Sequence, residues 1–415
     1  MAISAARVLV LGGGVGGQVA ANELRRRLPA SHRVTLVERE RRHAFAPSFL
    51  WVMTGDRRPD AIVRNLGDLL RPGVELVEAE VVSLDLATRR IGTSGGQLDY
   101  DYLVIALGAE LAPHLIPGLA ERAHTFYTLD GAARLRPALE SFTGGTIGVV
   151  VSALPYKCPG APHEGAMLVA DYFRQRGRRR GVEVHLFTPE PQPMPVAGPA
   201  LGAAVRQMLE ERDIVFHPLH KLTAVRPGSH ELLFDGQAPV PYDLLVAIPP
   251  HRAPALLKNT GLANDAGWVP VDRQTLATRD ARVYAIGDVT AIPLPGRWKP
   301  DVPLMLPKAG VFAHAQALVA ARRIAAEIAG TTAPDVFCGD GFCMLEAGEH
   351  AAGVAFGDFF AEPSPRVQVR TIGRTWHLGK ILFEQWWLAP QGPRRAMLES
   401  LIRFGSRALG IPVTL

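Results

Sequence analysis

Short apolar runs, each followed by a glycine or a polar turn, recur along the first three quarters of the chain. The runs at 7–11 (RVLVL), 100–107 and 281–286 contain few polar residues, which is typical of strands buried on both faces of a parallel sheet. Longer stretches with apolar residues at helical spacing lie between such runs. This alternation predicts an α/β fold in which helices cover parallel sheets.

The first run leads into a glycine-rich turn. Gly12, Gly14 and Gly17 stand in the GxGxxG pattern between a predicted strand and a predicted helix, and Glu38 ends the next predicted strand. In such a turn, backbone N–H groups face a pyrophosphate at the start of the helix, and the acid accepts hydrogen bonds from ribose hydroxyls. The sequence therefore predicts a dinucleotide site in the first part of the chain.

A second half repeats the first at an offset of about 140 residues, since 146–156 mirrors the opening strand and 240–250 mirrors 98–108. The turn after the repeated strand, SALPYKCPGAPHE at 152–164, lacks the glycine pattern. Pro155 and Pro159 stand there instead, and proline has no N–H to donate to a phosphate. The second half is therefore predicted to be Rossmann-like without a nicotinamide site.

Composition narrows the class of protein. The chain has 415 residues, 47% of them hydrophobic and 20% charged, which is typical of a soluble protein of two or three domains. A net charge of +5 does not indicate a nucleic-acid partner, and no apolar run reaches the ~18 residues of a membrane-spanning helix. The start of the chain shows no pattern of a secretory signal, so we expect a cytoplasmic location.

Three cysteines are present, Cys158, Cys338 and Cys343. In the cytoplasm structural disulfides are rare, so a cysteine pair there indicates catalysis. Three thiols allow three single bridges, and spacing alone does not choose among them. The cysteine spacing does not match a zinc site, and we expect no bound metal.

The later motifs carry a family resemblance. They are the glycine turn at 12–17, Cys158 with Glu164 six residues on, AIGDV, PKAGVFAHAQA, FCMLEAG with Cys343, GDFFAEP, and WHLGKILFEQWW near the end. With these the chain resembles the sulfide:quinone oxidoreductase and flavocytochrome c sulfide dehydrogenase family, flavoproteins with two dinucleotide-binding domains. The resemblance covers nearly the whole length, and the cysteine loop in place of the second glycine turn is its most specific part.

The resemblance implies FAD as the cofactor. The stretch 42–50 contains no cysteine to which a flavin could be attached, so FAD is expected to be non-covalent. A helix beginning near Lys308 is expected to direct its positive end toward the flavin. The implied FAD-binding residues are Gly12, Gly14, Gly17, Glu38, Ala46, Pro47, Gly108, Gly287, Asp288 and Lys308.

The resemblance also implies the chemistry. Cys158 and Cys343 would form a redox disulfide beside the flavin, and Glu164 would act as a base or tune the persulfide. Hydrogen sulfide would be oxidised to sulfur or polysulfide, with the electrons passing through FAD to a membrane quinone. Cys338 matches no family cysteine and is expected to be a spectator, and Tyr127 stands where many quinone-linked members have a third cysteine.

The last 50 residues combine basic charge with apolar stripes. Residues 366–415 contain eight Arg and Lys and two Glu, a balance of +6 that exceeds the net charge of the whole chain. Two amphipathic helices are predicted, with Trp386 and Trp387 on one apolar stripe and Met397, Leu398, Leu401 and Ile402 on the other. We expect them to hold the protein as a monotopic enzyme on the cytoplasmic face of the membrane, against anionic lipid, with Met344 and Phe383 at the quinone. The alternative is a pair of helices docked on the core.

The predicted organisation is an FAD-binding domain at 1–115 and 265–330, a second Rossmann-like domain at 116–264 with the cysteine loop, and a C-terminal membrane-associating domain at 331–415. A homo-oligomer stays open. Three alternative functions also stay open: a sulfide dehydrogenase subunit that reduces cytochrome c, a type II NADH:quinone dehydrogenase, and a flavin-binding redox sensor without turnover. The second alternative predicts a glycine turn near 152–157, which is missing.

Overall fold

The computed structural model describes residues 5–299, 302–411 and 413–415. Its α-helices are α1 (Val15–Arg27), α2 (Phe49–Thr54), α3 (Leu119–Arg122), α4 (Leu129–Ser141), α5 (Ala161–Gln175), α6 (Pro199–Glu210), α7 (Gly310–Ala329), α8 (Arg374–Trp387) and α9 (Pro393–Leu409). Its first thirteen strands are β1 (Arg7–Leu11), β2 (Arg33–Glu38), β3 (Arg42–Ala44), β4 (Val63–Asn65), β5 (Val74–Glu78), β6 (Val81–Asp85), β7 (Arg90–Thr93), β8 (Gly96–Asp99), β9 (Tyr102–Ile105), β10 (Glu110–Leu111), β11 (Gly145–Val151), β12 (Val182–Phe187) and β13 (Ile214–His217). The following strands are β14 (Leu222–Arg226), β15 (Glu231–Phe234), β16 (Val240–Pro241), β17 (Leu244–Ile248), β18 (His251–Arg252), β19 (Val269–Pro270), β20 (Val283–Ala285), β21 (Thr290–Ala291), β22 (Pro293–Lys299), β23 (Val302–Met305), β24 (Asp340–Gly348), β25 (Ala351–Asp358) and β26 (Arg366–Gly373).

A parallel five-stranded sheet with the order β20-β9-β1-β2-β5 forms the first half. Its central strand alternates between two apolar layers, because successive side chains of a strand point to opposite faces. Val8 and Val10 belong to the large core cluster that also contains residues of α1 and α7, and Leu9 and Leu11 belong to a second cluster with Ile91 of β7. The late strand β20 pairs with β9, so the chain returns to its first sheet after the second half.

The second half contains a parallel four-stranded sheet with the order β13-β12-β11-β17. The central strand β11 is the one predicted from the internal repeat, and α5 packs against β11 and β12 as a crossover helix does. The predicted α/β fold with two Rossmann-like halves is thus confirmed. The domain boundaries themselves remain a prediction.

The last part of the chain forms an antiparallel sheet, β24-β25-β26, followed by α8 and α9. Its strands are eight or nine residues long. The strand β24 packs against α5 of the second half, and α8 packs against β25 and α9. This packing brings residues from beyond 340 to the start of α5.

The tryptophans of α8 do not lie at a surface. Trp386 and Trp387 are buried, and the indole N–H of Trp387 donates to His43 Nε2 at 2.8 Å. Arg395 closes the end of α8 by donating to the carbonyl oxygens of Trp386, Trp387 and Ala389 at 3.0–3.1 Å. The expectation that these tryptophans face lipid is therefore wrong, because the pattern shows that a face is apolar but not what covers it.

The apolar residues of α9 divide between two faces. Leu398 and Ile402 are buried, whereas Met397, Leu401 and Phe404, spaced by four and three residues, are exposed. Among the residues that the structure describes, no helix combines the length and the apolar character needed to cross a membrane.

One ion pair fastens α8 to the first half. Arg57 Nε lies 3.1 Å from both carboxylate oxygens of Glu384, whose side chain is 6% exposed, and Arg57 Nη2 adds a contact of 3.0 Å. We expect Glu384→Ala to lower the free energy of unfolding by about 2 kcal/mol, because it leaves Arg57 without its partner in a poorly solvated position.

The matched control is Glu399→Ala, which breaks the more exposed pair of Glu399 with Arg403 on α9. That change should cost less than about 0.5 kcal/mol. Urea unfolding of both variants measures the difference, and equal effects of the two substitutions would contradict the anchoring role of Glu384.

Candidate functional site

The glycine turn after β1 is shaped by close packing at two positions and by open space at a third. A Cβ atom on Gly12, whose φ is +98°, would lie 2.5 Å from the carbonyl oxygen of Ala106, and one on Gly17 would lie 1.7 Å from that of Gly12. A Cβ atom on Gly14 would meet nothing within 4 Å. Gly14 also stands at the start of α1 without a side-chain cap, so this helix end offers its N–H groups to an anion. The turn fits a bound pyrophosphate.

The other predicted residues of the first half lie around this turn. The Glu38 carboxylate accepts hydrogen bonds from the backbone N–H of Gly13 at 2.5 Å and of Glu40 at 3.0 Å. Ala46 and Pro47 are exposed in a single helical turn before α2, directly after buried Phe45. Gly108 has a φ of +67° and open space around its Cα.

Lys308 joins the late segments of the site. It is buried, and its Nζ donates to the carbonyl oxygens of Asp288 at 2.5 Å and Thr290 at 3.3 Å, 3.5 Å from the Trp268 ring centroid. Burial lowers the pKa of Lys308 to about 8. The helix expected near Lys308 begins at Gly310. Lys308 therefore holds the Asp288 segment in place from within the protein.

The Asp288 segment has a second support in α7. The backbone N–H of Gly287, whose φ is +74°, donates to Gln316 Oε1 at 2.6 Å. Burial raises the pKa of Asp288, and the positive charges of Lys157 and Lys308 act against that rise. The predicted flavin contacts Gly287, Asp288 and Lys308 thus form one connected group.

The cysteine loop lies against this group. The backbone N–H of Cys158 donates to the carbonyl oxygen of Lys308 at 2.7 Å, and Cys158 itself has a φ of +57°. Cys343 comes from β24, and its Sγ is 3.2 Å from where a Cβ atom on Gly160 would lie. The absence of a side chain at Gly160 therefore allows β24 to approach the loop.

Both cysteines are free thiols in this structure, and so is Cys338, which is exposed. Burial raises the pKa of Cys158 to about 12 and that of Cys343 well above its ordinary value, and Cys158 contributes to the rise at Cys343. The positive charge of Lys380 acts against this rise in the pKa of both cysteines. The structure brings Cys158 and Cys343 together at the Asp288 segment and leaves Cys338 at the surface; a disulfide between the first two stays a prediction.

Glu164 is a buried connector. Its Oε1 accepts hydrogen bonds from Lys380 Nζ at 2.5 Å and from the backbone N–H of Glu346 at 3.0 Å. One carboxylate thereby joins α5, β24 and α8. Lys380 and Glu346 were not predicted as site residues from the sequence, in which Lys380 counts only as a basic charge of the tail. The available signal was that Lys380 lies three residues before Phe383, on the apolar stripe of its helix.

Of the two predicted quinone residues, Phe383 lies on α8 and Met344 on β24, which contacts α8 one turn away. The Phe383 ring lies 6.1 Å from the rings of Phe45 and Phe342. Met344 Sδ is 3.8 Å from where a Cβ atom on Gly379 would lie, one turn earlier on the helix. Phe342, which the sequence analysis did not single out, is thus the β24 residue in ring contact with Phe383.

The repeated turn of the second half is filled by the protein's own side chains. Tyr156 Oη donates to Glu190 Oε2 at 2.8 Å, and Thr188 Oγ1 donates to the same oxygen at 3.1 Å. Glu190 lies just after β12, and Glu38 is the last residue of β2 in the first half. The acid that a ribose would use in the second half is therefore hydrogen-bonded to a tyrosine. Burial raises the pKa of Glu190 to about 7. Tyr127 donates to the carbonyl oxygen of Lys157 at 3.0 Å and supports the same loop.

Comparison with known proteins supports the relationship that the motifs indicate. The family model for pyridine nucleotide-disulphide oxidoreductases matches residues 6–317. The mitochondrial sulfide:quinone oxidoreductase of Mus musculus is 33% identical over 304 residues, which are 69% of this chain and 66% of the mouse protein. The sulfide-quinone reductase of Aquifex aeolicus is 29% identical over 400 residues, which are 92% of this chain and 90% of that protein.

A solved structure agrees with these sequence matches. The crystal structure of the Aquifex aeolicus sulfide:quinone oxidoreductase superposes with a TM-score of 0.82 at 26% identity and covers 93% of both chains. Its agreement extends over both Rossmann-like halves and the C-terminal part. The chain therefore belongs to the pyridine nucleotide-disulphide oxidoreductase family of flavin-dependent enzymes, in which it is similar to the sulfide:quinone oxidoreductases.

Proposed function

We propose that this protein is an FAD-dependent sulfide:quinone oxidoreductase. The observation that carries the proposal is the meeting of Cys158 and Cys343 next to the Asp288–Lys308 segment, where the relatives' fold and the glycine turn at 12–17 support a flavin. The named activity of the mouse and Aquifex aeolicus relatives agrees with it. A flavin held at this place would supply a two-electron acceptor for the thiols and a two-electron donor for a quinone.

The proposed chemistry starts from a Cys158–Cys343 disulfide. Hydrosulfide attacks one sulfur and breaks the S–S bond, so that one cysteine becomes a persulfide (Cys–S–SH) and the other leaves as a thiolate. Lys380 stabilises that thiolate, since its positive charge lowers the pKa of both cysteines. Glu164 holds Lys380 in position.

The non-covalent FAD is proposed to bind in the first half. Its pyrophosphate would lie on the turn of Gly12, Gly14 and Gly17, with Glu38 at the ribose. The flavin end would lie among Ala46, Pro47, Gly108, Gly287, Asp288 and Lys308. The quinone would approach Phe383 from the side of Phe342 and Met344.

A nicotinamide donor is disfavoured by the same structure. The place of the second nucleotide is occupied by Tyr156, which is bound to Glu190, and by Pro155 and Pro159. One oxygen of the Glu190 carboxylate already accepts hydrogen bonds from the hydroxyl groups of Tyr156 and Thr188. This argues against the type II NADH dehydrogenase alternative.

Attachment to a membrane is proposed through α9. Phe404, Met397 and Leu401 are 76%, 56% and 50% exposed on one face, and the exposed Arg394 and Arg407 lie near its ends. Apolar residues flanked by cations suit the surface of an anionic bilayer, where a quinone is found. We propose a monotopic position on the cytoplasmic face.

The electron donor can be identified with anaerobic holoprotein. Micromolar sulfide should bleach the flavin within the mixing time of a conventional titration, whereas NADH and NADPH should leave it oxidised, because Tyr156 and the prolines fill the second nucleotide site. The measurement is the flavin absorbance spectrum. Rapid bleaching by NADH would exclude the proposed function.

The two thiols can be separated from the third by substitution. Cys158→Ser and Cys343→Ser should each reduce sulfide oxidation by at least about a hundredfold while FAD stays bound, because either change removes the disulfide that sulfide attacks. Cys338→Ser is the matched control and should keep more than half of the activity. If Cys338→Ser were inactive and Cys158→Ser were active, the proposed pairing of Cys158 with Cys343 would be wrong.

Membrane attachment can be tested by flotation with vesicles of anionic phospholipid. Changing Met397, Leu401 and Phe404 together to Ser should release the protein from the vesicles, because the exposed apolar face of α9 is lost. These positions leave buried Leu398 and Ile402 intact, which a deletion of α9 would not. The control changes the exposed Leu115 and Val82 to Ser, and an equal loss of binding in the control would contradict the assignment.

A further inference from the structure

A line of four ionisable side chains leads from the thiols toward the surface. Lys380 Nζ lies 2.5 Å from Glu164 Oε1 and 4.0 Å from Glu346 Oε1, and the other Glu346 oxygen lies 2.9 Å from His377 Nδ1. Glu164, Glu346 and Lys380 are at most 5% exposed. Burying three such groups together is costly, and a well-packed apolar cluster would serve stability as well.

The line has a solvent end and an inner end. His377 is 12% exposed, and its ring lies 5.4 Å from the ring of His350, which is exposed. Along α8, Lys380 follows His377 by three residues and Phe383 follows Lys380 by three more, each step being about 4.5 Å along the helix axis. Residues three apart on a helix are turned by about 60° from each other, so Lys380 lies between His377 and Phe383 on the surface of α8.

The line packs against an aromatic ring that also contacts a second cation. Trp51 covers one side, with its ring 5.7 Å from the His377 ring and 5.4 Å from Lys380 Nζ, and Arg57 lies on that ring at 4.7 Å. Burial raises the pKa of Glu346, and Lys380 and His377 oppose the rise. Burial alone would lower the pKa of Lys380, but Glu164 and Glu346 hold it above its ordinary value.

One oxygen of this line has no hydrogen bond. Within the described residues, Glu346 Oε1 is buried without a donor, at 4.0 Å from the ammonium group of Lys380. A carboxyl group with one oxygen on His377 and the other free toward Lys380 can pass a proton between them when it rotates. A purely structural ion pair has no need of that free oxygen.

The proposed reaction requires a proton from outside. Oxidation of hydrosulfide by a quinone is balanced as HS⁻ + quinone + H⁺ → S⁰ + quinol, so each turnover consumes one proton. The sulfur loses two electrons and the quinone gains them, together with the proton of hydrosulfide and the one from solvent. The quinone is expected at Phe383, whose partly buried ring contacts the rings of Phe45, Phe342 and Trp386. A quinone that covered this ring would leave the protein side as the route for that proton.

We infer that His377 and Glu346 carry this proton from solvent to Lys380 and Glu164, one helical turn from Phe383. The inference rests on the proposed function, in which a quinone is reduced at that place. Lys380 gives a proton to the reduced quinone oxygen, Glu346 returns one to Lys380, His377 returns one to Glu346, and solvent protonates His377. No electrons move along this line.

The test uses full-length holoprotein and needs no sulfide. The flavin is photoreduced anaerobically and mixed with a short-chain ubiquinone, and flavin reoxidation and proton uptake from a pH-indicator dye are followed together. His377→Ala should slow both by at least about tenfold near neutral pH, and free imidazole should restore the rate as its concentration rises. Glu346→Gln should be slow as well, without rescue by imidazole.

Two further variants separate proton transfer from structure. His377→Asn keeps a donor near the position of Nδ1 but cannot carry a proton, so it should be as slow as His377→Ala. His114→Ala removes an exposed histidine far along the chain and should stay within twofold of the parent protein. Flavin content and thermal melting show whether each variant is folded. If the Ala variant is not folded, the Asn variant decides whether His377 carries the proton.

The inference is overturned if the His377 variants reoxidise within twofold of the parent protein, or if His377→Ala is slow and imidazole does not restore its rate. The proposed function fails separately, if sulfide does not bleach the parent protein. Slow variants with imidazole rescue would then still support the proton path for quinone reduction.

Discussion

The arrangement around the two cysteines depends on one buried ion pair, Lys380 with Glu164. The carboxylate starts on α5, the ammonium comes from α8, and the backbone of β24 donates to the same oxygen, so one contact holds the three elements that meet there. Removing either partner would leave the other charged and buried, which is far more costly than the pair itself. Cys158 precedes α5 and Cys343 lies on β24, so this pair also fixes how close the two sulfurs come.

The two Rossmann-like halves share a strand-turn-helix unit, but the residues of the turn differ. In the first, Gly12 and Gly17 bring the backbone close and Gly14 leaves space at a helix start. In the second, Tyr156 reaches the acid Glu190 and the helix begins after a cysteine loop. The same strand-turn-helix unit thus suits a nucleotide in one half and carries a thiol in the other, because the residues of the turn and not the fold decide what it can hold.

Patterns among neighbouring residues predicted most of the secondary structure that surrounds the site. The apolar runs predicted the strands of both sheets, and helical spacing predicted α8 and α9, since these signals come from neighbouring residues. The nearness of Cys158 and Cys343 came from the family resemblance, because no local pattern links positions 185 residues apart. Lys380 and Trp386 were misjudged for one reason: charge and amphipathic pattern describe a side chain, but burial depends on what packs over it. The Tyr156–Glu190 contact, 34 residues apart, was invisible in the same way.

The helix α9 presents apolar residues on two faces, and a ligand that bound the outer face only while the helix is docked would link the two sides thermodynamically. Leu398 and Ile402 on the inner face, together with Arg395, hold the end of α8, which carries Lys380 and Phe383. Whatever binds the outer face and stabilises α9 also stabilises the helix that supports the thiols and the aromatic ring. By reciprocity, occupancy of the inner site strengthens binding at the outer face by the same free energy. The last helix would then couple the surface to the site.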